Sequence, residues 1–189
     1  MGNTTNTNDV SNVIIKKRKK LTTADMALIA ILLAVGTVLK NVINFGMKPN
    51  FIIAMYCLVI LLIKPTVLNS AIIGLLAGAL CQLFPGTPFV NFASELVGAV
   101  VMALFMKIPS RDNKFIDNVL KVAPSTFITT LFSGFTFLGL MWILFYAGVS
   151  GGTPPASLGV FLVIIFGTAT INTVIVQVLY LPIKKILKR

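Results

Sequence analysis

The chain contains no histidine and only five acidic residues among its 189. Catalytic metal centres are built from clustered histidine, cysteine and carboxylate ligands, and the sequence has no such cluster. It also lacks a phosphate-binding loop of the form GxxxxGK[ST], which excludes the usual way of binding ATP. A serine or cysteine nucleophile would find only Glu95 as a base inside the apolar runs. We therefore predict no cofactor, no metal site and no enzymatic activity.

Charged residues are also scarce, at 11% of the chain, whereas 57% of the residues are hydrophobic. A soluble domain carries about 25% charged residues. The composition therefore predicts an integral membrane protein, and a chain of 189 residues leaves no room for a separate soluble domain. The two cysteines, Cys57 and Cys81, both lie inside apolar runs, so we predict small packing residues and no disulfide framework.

The net charge of +11 raises the question of nucleic-acid binding. The basic residues, however, punctuate apolar runs and do not form a stripe with interleaved aromatic residues. This distribution argues against a nucleic-acid partner and favours the lipid bilayer as the surroundings of the chain.

Six apolar runs approach or exceed the roughly 20 residues that a helix needs to cross a bilayer. They predict an all-α membrane protein, with a polar and basic tail at residues 1–20 and a six-helix transmembrane domain at residues 21–189. Thr23 is the predicted cap of the first helix. The predicted helices cover residues 23–45, 50–63, 66–84, 91–108, 117–148 and 157–187.

The lysine and arginine residues are distributed unevenly around these six runs. If the N-terminus is cytoplasmic, fourteen of the sixteen fall on the cytoplasmic side, and only Lys40 and Lys48 fall on the outer side. Cytoplasmic loops of membrane proteins carry such an excess of cations. We therefore predict that both termini are cytoplasmic.

Several polar side chains are predicted to lie in or near the outer half of the membrane. Glu95 is the acidic residue inside a span, and buried carboxylates there line a cavity or pair with a partner. Lys48, in the stretch FGMKPN, is the candidate partner, although a lysine at this rim also snorkels to lipid headgroups. The predicted substrate-binding set is completed by Asn50, Gln82, Asn91, Trp142 and Asn172.

This set combines a cation, an anion, amides and an aromatic ring, which suits a small zwitterion with an apolar body. The ammonium of Lys48 and the carboxylate of Glu95 would hold the two charged ends of a free amino acid. For Glu95 the alternative is a structural ion pair. For Trp142 the alternative is an aromatic residue at the membrane interface, and the site hypothesis makes it a stacking wall.

Small residues recur on the first predicted helix. Ala27, Ala30 and Ala34 share one face, and small residues at this spacing let another helix approach closely. That face is a candidate interface with a partner subunit. The third helix has small residues too and is the alternative site of close packing within the chain: Ala71, Gly74, Ala77 and Gly78.

The stretch GMKPN at the entry to an apolar helix is followed by LVILLIKPTVLNSAIIGLLAGAL and PGTPFVNFASELVGA. This pattern resembles the bacterial tryptophan transporter family, which belongs among the substrate-binding S components of energy-coupling factor (ECF) uptake systems. The sixth-helix stretch INTVIVQVLYLPI is similar too, and the resemblance covers roughly residues 24 to 186.

The resemblance implies a multi-pass subunit of the bacterial plasma membrane that captures a small nutrient, tryptophan first. Its partners would be a membrane coupling subunit and two cytosolic ATPases. In many S components an alanine pair on the first helix contacts the coupling subunit, and Ala30 and Ala34 have that spacing. The stretch SEL at 94–96 departs from the charge arrangement usual in the family, which leaves pantothenate or another small carboxylate open. A stand-alone proton-coupled amino-acid carrier that uses Glu95 is the other alternative.

Overall fold

The structure is a computed structural model that describes residues 21–43, 49–84, 89–108, 121–149 and 157–188. Within these ranges the chain forms six helices and no strand, which confirms the predicted all-α class for this part of the chain. The predicted tail at 1–20 lies outside the described residues. In chain order the helices are α1 (Thr23–Val42), α2 (Phe51–Ile63), α3 (Val67–Cys81), α4 (Val90–Phe105), α5 (Val122–Tyr146) and α6 (Leu158–Ile186).

Three of the helices, α1, α5 and α6, are long and apolar enough to cross a membrane. Helices α2, α3 and α4 are apolar but have only 13, 15 and 16 residues. A rise of 1.5 Å per residue makes them about 20–24 Å long, shorter than the roughly 30 Å hydrocarbon core of a bilayer. The six spans and the cytoplasmic position of both termini stay predictions.

The start of α1 is fixed by a reciprocal cap. The hydroxyl of Thr22 accepts a hydrogen bond from the backbone N–H of Asp25 at 3.2 Å, and the Asp25 carboxylate accepts one from the backbone N–H of Thr22 at 2.9 Å. Such a capping box satisfies two backbone donors that the helix leaves unpaired. The prediction of Thr23 as the cap was therefore wrong by one residue. Thr22 is the cap because Asp25 lies three positions after it and completes the capping box.

Helix α2 lies at the centre of the bundle, and all 13 of its residues are buried. It contacts each of the other five helices. A helix that is apolar all round suits a position enclosed on every side. It ends at Lys64, which adopts a left-handed conformation with φ of 49° as the C-cap, and Pro65 follows directly.

The remaining helices surround α2, with α3 against α4, α4 against α5 and α5 against α6. Helices α3 and α4 approach closely because glycines lie at their contact. A Cβ atom at Gly74 would be 2.6 Å from the backbone oxygen of Glu95, and one at Gly78 would be 2.7 Å from the Cα of Phe92. These small residues of α3 therefore serve its packing on α4, whereas α1 meets α3 only slightly.

Candidate functional site

A cavity of about 180 Å³ opens at one end of the bundle. We call this the pocket end; α1, α3 and α5 end there, and α2, α4 and α6 begin there. If the predicted orientation holds, the pocket end faces the outside of the cell. All helices except α3 contribute to the walls, and the polar residues lining them are Lys40, Asn50, Asn91, Ser94, Glu95, Thr130, Ser133 and Thr168.

Glu95 supplies the carboxylate of the cavity and is only 1% exposed. One of its oxygens accepts a hydrogen bond from Asn50 Nδ2 at 2.5 Å, and the other accepts one from the Ser133 hydroxyl at 3.2 Å. Asn50 is also the N-cap of α2, so the positive end of that helix dipole lies beside the carboxylate. Neutral donors thus hold the Glu95 side chain in place and leave lone pairs free for a ligand.

The hydroxyl of Tyr56 is a further donor near this carboxylate. It lies close to Glu95 and Ser133 but makes no hydrogen bond of normal geometry, and the whole side chain is buried. A Cβ atom on Gly98 would be 2.2 Å from the Tyr56 oxygen, so the ring has no space to move toward α4. Leaving a buried hydroxyl unpaired costs about 1–3 kcal/mol.

Lys40 supplies the cation of the cavity and belongs to the last turn of α1. Its ammonium lies 3.4 Å from the Cys81 sulfur and 4.8 Å from the centroid of the Phe84 ring. The two opposite charges of the cavity, on Lys40 and Glu95, are each engaged with neutral groups in the described contacts and not with one another. Held apart on the walls of one cavity, they leave room for a ligand that carries both charges.

Asn50 joins this site to the rest of the bundle. Besides Glu95, its side chain contacts the Cys81 sulfur, with 3.7 Å between Nδ2 and Sγ. Its backbone oxygen accepts a hydrogen bond from Asn172 Nδ2 at 3.2 Å. Asn172 is fully buried, and its Oδ1 has no hydrogen-bond partner among the described residues. Asn172 therefore supports the start of α2 from behind the cavity wall.

Most of the apolar lining of the cavity comes from α5 and α6, which contribute Gly134, Phe137, Phe161, Ile164 and Ile165. The same two helices also contribute the hydroxyls of Thr130, Ser133 and Thr168. Two aromatic rings and two branched aliphatic side chains offer a surface for a flat apolar group. The cavity therefore combines two charged side chains and several hydroxyls with an aromatic and aliphatic surface.

The predicted site residues fall into four groups. Asn50, Asn91 and Glu95 line the cavity. Asn172 lies behind Asn50. Lys48 lies outside the described residues, so its predicted pairing with Glu95 stays a prediction.

Gln82 and Trp142 lie away from the described cavity walls. The Gln82 side-chain oxygen accepts a hydrogen bond from the backbone N–H of Phe89 at 3.3 Å, at the connection between α3 and α4. Trp142 stacks on Tyr146, with 5.6 Å between ring centroids, and meets Phe145 edge to face. Their predicted roles in binding stay predictions.

Sequence reasoning missed Lys40, the hydroxyls and the aromatic wall. One signal in α5 points to the hydroxyls, because small hydroxyl residues recur there at intervals of three and four. Residues at that spacing share one face of a helix, and the structure buries five of them, of which Thr130 and Ser133 line the cavity. The set is Ser125, Thr126, Thr129, Thr130 and Ser133.

Comparison with known proteins identifies the family to which the chain belongs. The family described as tryptophan transporter TrpP matches residues 22–188 of the chain. The chain belongs to the tryptophan transporter family. The resemblance found in the sequence is thereby confirmed. No solved structure matches the chain significantly.

Three relatives in this family have the name probable tryptophan transport protein. The one from Clostridium perfringens is 30% identical over 175 residues, which cover 85% of this chain and 91% of the relative. The one from Clostridium acetobutylicum is 29% identical over 162 residues, covering 82% and 89%. The one from Bacillus subtilis is 27% identical over 173 residues, covering 88% and 94%. The chain therefore matches these relatives over most of their length.

This member of the tryptophan transporter family has a second, larger opening, between α1 and α3. We call it the α1–α3 groove; its volume is about 630 Å³, and its lining is apolar except for Asn69. Ala30 and Ala34 line it, and both are exposed, as is Ala27 on the same helix. The small-residue face of α1 is thus open to the surroundings of the bundle, while the small residues of α3 pack on α4.

Proposed function

We propose that this protein is the substrate-binding subunit of a tryptophan uptake system and holds L-tryptophan in the cavity at the pocket end. The observation that carries this proposal is the pair of opposite charges, Lys40 and Glu95, on the walls of one cavity that also has an aromatic side. Membership of the tryptophan transporter family and the names of the three relatives support the same substrate.

In the proposed complex each part of tryptophan meets a complementary wall. The ammonium approaches Glu95, whose carboxylate is held by Asn50 and Ser133. The carboxylate approaches Lys40, and the indole ring packs against Phe137 and Phe161. Charge-assisted contacts of this kind are stronger than neutral ones, and the apolar walls reduce competition from water.

The binding proposal is tested with purified protein and a panel of amino acids and vitamins that includes pantothenate. A ligand that binds only the folded state raises the melting temperature. We expect L-tryptophan to give the largest rise, and we expect Lys40→Met to reduce it while Lys64→Met, at the exposed opposite end, does not. A rise with pantothenate and none with tryptophan would overturn the proposal in favour of a vitamin-binding subunit.

The energy for uptake is proposed to come from partners, namely an ECF coupling subunit in the membrane and two cytosolic ATPases. The chain has no phosphate-binding loop of its own, and the resemblance assigns ATP hydrolysis to separate subunits. The exposed small-residue face of α1, with Ala27, Ala30 and Ala34, is the proposed contact with the coupling subunit. Helices pack closely in membranes through such faces.

Uptake of labelled tryptophan by cells tests this second part. Ala30→Leu and Ala34→Leu should leave ligand binding unchanged and abolish uptake, because the larger side chains hold the partner helix away. Gly139→Leu is the control, since Gly139 lies on α5 with open space beside it. Uptake that continues without the partner ATPases would identify a stand-alone carrier. Dependence of that uptake on an imposed proton gradient would then assign proton coupling, because loss of uptake in Glu95→Gln would also follow from lost binding.

A further inference from the structure

The contacts of Lys40 at the end of α3 have a consequence for ligand selection. We propose that Phe84 and Cys81 are positioning residues that hold the Lys40 ammonium at the cavity wall and so make the site selective for ligands that carry a carboxylate. This inference rests on the proposed function, because it states how the same site distinguishes among indole compounds.

A lysine side chain needs such support to act as a fixed binding group. Its flexible four-carbon stem loses conformational entropy when the ammonium is held in one place. Lys40 is half-buried at the end of α1, and α1 makes little other contact with α3. The contacts to Cys81 at 3.4 Å and to the Phe84 ring at 4.8 Å therefore fix the ammonium before a ligand arrives.

Both contacts leave the ammonium able to bind a carboxylate. The face of the Phe84 ring attracts the cation without accepting a directed N–H bond. The Cys81 sulfur is a weak acceptor and occupies one of the three N–H groups. Two N–H groups remain for the two oxygens of a ligand carboxylate, so binding does not require Lys40 to leave α3.

Cys81 also sets the spacing between the two charges of the cavity. Its sulfur contacts the Lys40 ammonium on one side and the Asn50 side chain on the other. The same Asn50 amide donates to Glu95 at 2.5 Å. Lys40, Cys81, Asn50 and Glu95 thus form a continuous row of contacts. This row fixes the distance between the cation and the carboxylate of the cavity, and a ligand must match that distance with its own two charges.

The test compares three indole ligands by calorimetry or competition. L-tryptophan has both charges, indole-3-propionate lacks the ammonium, and tryptamine lacks the carboxylate. We expect Phe84→Leu to weaken tryptophan and indole-3-propionate by roughly three- to thirtyfold, the range of a partly desolvated cation–π contact, and to leave tryptamine unchanged. Phe84→Tyr keeps an aromatic face and should restore the affinity.

Phe89→Leu is the matched control, because Phe89 is an exposed ring at the same end that stacks on Phe92. It should leave all three affinities unchanged. If Phe84→Leu does not fold, Cys81→Ala and Cys81→Ser replace it: the serine keeps an acceptor for Lys40 and should retain the preference for carboxylates, whereas the alanine should lose it.

Three results would overturn the inference. They are unchanged tryptophan affinity in Phe84→Leu, tighter binding in that variant, and an equal loss for tryptamine, which would indicate a general structural effect. The proposed function fails separately, when the unmodified protein binds no tryptophan. Tryptophan binding that is insensitive to Phe84 therefore removes only the inference.

Discussion

The cavity at the pocket end and the α1–α3 groove differ in both size and chemistry. The groove has a volume of about 630 Å³ and the cavity about 180 Å³. The groove is lined by aliphatic side chains with Asn69 as its polar member, whereas the cavity contains a lysine, a glutamate, two asparagines and several hydroxyls. The smaller space is therefore the one with the means to select a polar solute.

The difference shows why volume alone is a poor guide to function in a membrane protein. An apolar groove in a bilayer can be covered by lipid chains or by another helix, neither of which demands polar complementarity. A charged side chain at depth is costly and persists where a ligand or a pathway needs it. Polar groups gathered on the walls of a space, as around Glu95, are therefore the better basis for proposing a binding site.

The largest expected effect comes from removing the buried charge. Glu95→Gln should weaken tryptophan binding by about 2–5 kcal/mol, the cost of truncating one partner of a buried charged contact. The ligand-free melting temperature should stay the same or rise, because an amide is less costly to bury than a carboxylate. Calorimetry and thermal melts measure the two effects.

Leu76→Ala in the α1–α3 groove is the counterpart of Glu95→Gln and should leave tryptophan affinity unchanged. Asp25→Asn removes the acidic side chain at the start of α1, at the end of the bundle opposite the cavity. It should also leave tryptophan affinity unchanged. If Glu95→Gln binds tryptophan with an affinity within threefold of the unmodified protein, the cavity is no more important for binding than the α1–α3 groove.

A second prediction compares the two faces of α3. Gly74→Ala should destabilise the fold by about 1–3 kcal/mol, since the added carbon would lie 2.6 Å from a backbone oxygen of α4 that cannot move alone. Leu76→Ala, on the groove side, should change stability by no more than about 0.5 kcal/mol, as exposed substitutions do. Denaturation in detergent measures both. Equal losses would mean that α3 packs as tightly on its groove side as on α4.

Removing the hydroxyl that holds Glu95 should reduce tryptophan affinity by less than Glu95→Gln does. Ser133→Ala removes the hydrogen bond of 3.2 Å to the carboxylate. A hydrogen bond to a charged group contributes about 1.5–3 kcal/mol, and at the lower bound tryptophan affinity falls roughly tenfold. Thr136→Ala on the same helix is the control, because that hydroxyl donates to the backbone oxygen of Phe132. Identical affinities in the two variants would contradict a role for Ser133.

The smallest effect is expected at Gly139, which has open space around its Cα. Gly139→Ala should stabilise the protein by about 0.5–1 kcal/mol, because alanine loses less conformational freedom than glycine in a helix. The same substitution at Gly74 and Gly139 differs only in the neighbouring helix, so a loss of stability in Gly74→Ala alone would be due to the close contact between α3 and α4. A fall in the melting temperature of Gly139→Ala would show that α5 has an unseen neighbour at this position.

The six helices within the described residues, and their order, could be predicted from the sequence, since long apolar runs interrupted by proline, glycine and charge are strong signals. The ends were less predictable. The fourth helix was expected to reach residue 108 and ends at Phe105, because the following residues form a tighter turn, with Lys107 N–H donating to Leu104 O and Ile108 N–H to Phe105 O. The exact residue at which a helix ends depends on the hydrogen bonds of its last turn, which the hydropathy of the sequence does not predict.

The candidate site could be predicted only in part. Glu95 and Asn50 were identifiable because a carboxylate and an amide are rare within apolar runs. Lys40 was placed on the outer side by the charge distribution but was not included in the predicted site, because no sequence pattern distinguishes it from a lysine that turns to the lipid headgroups. Its contact with Phe84 depends on how α1 lies against the end of α3, which no local pattern encodes.

The shortness of α2 has a consequence for how the binding space arises. This central helix is about 20 Å long in a bilayer core of about 30 Å, and its first turn, at Asn50 and Ile53, forms the floor of the cavity. The cavity thus adjoins the end of a helix that is shorter than the bilayer core, and small side chains such as Ser94, Ser133 and Gly134 complete its lining. One additional helical turn at the start of α2 would extend this helix into the cavity and fill it, which would leave no space for a ligand.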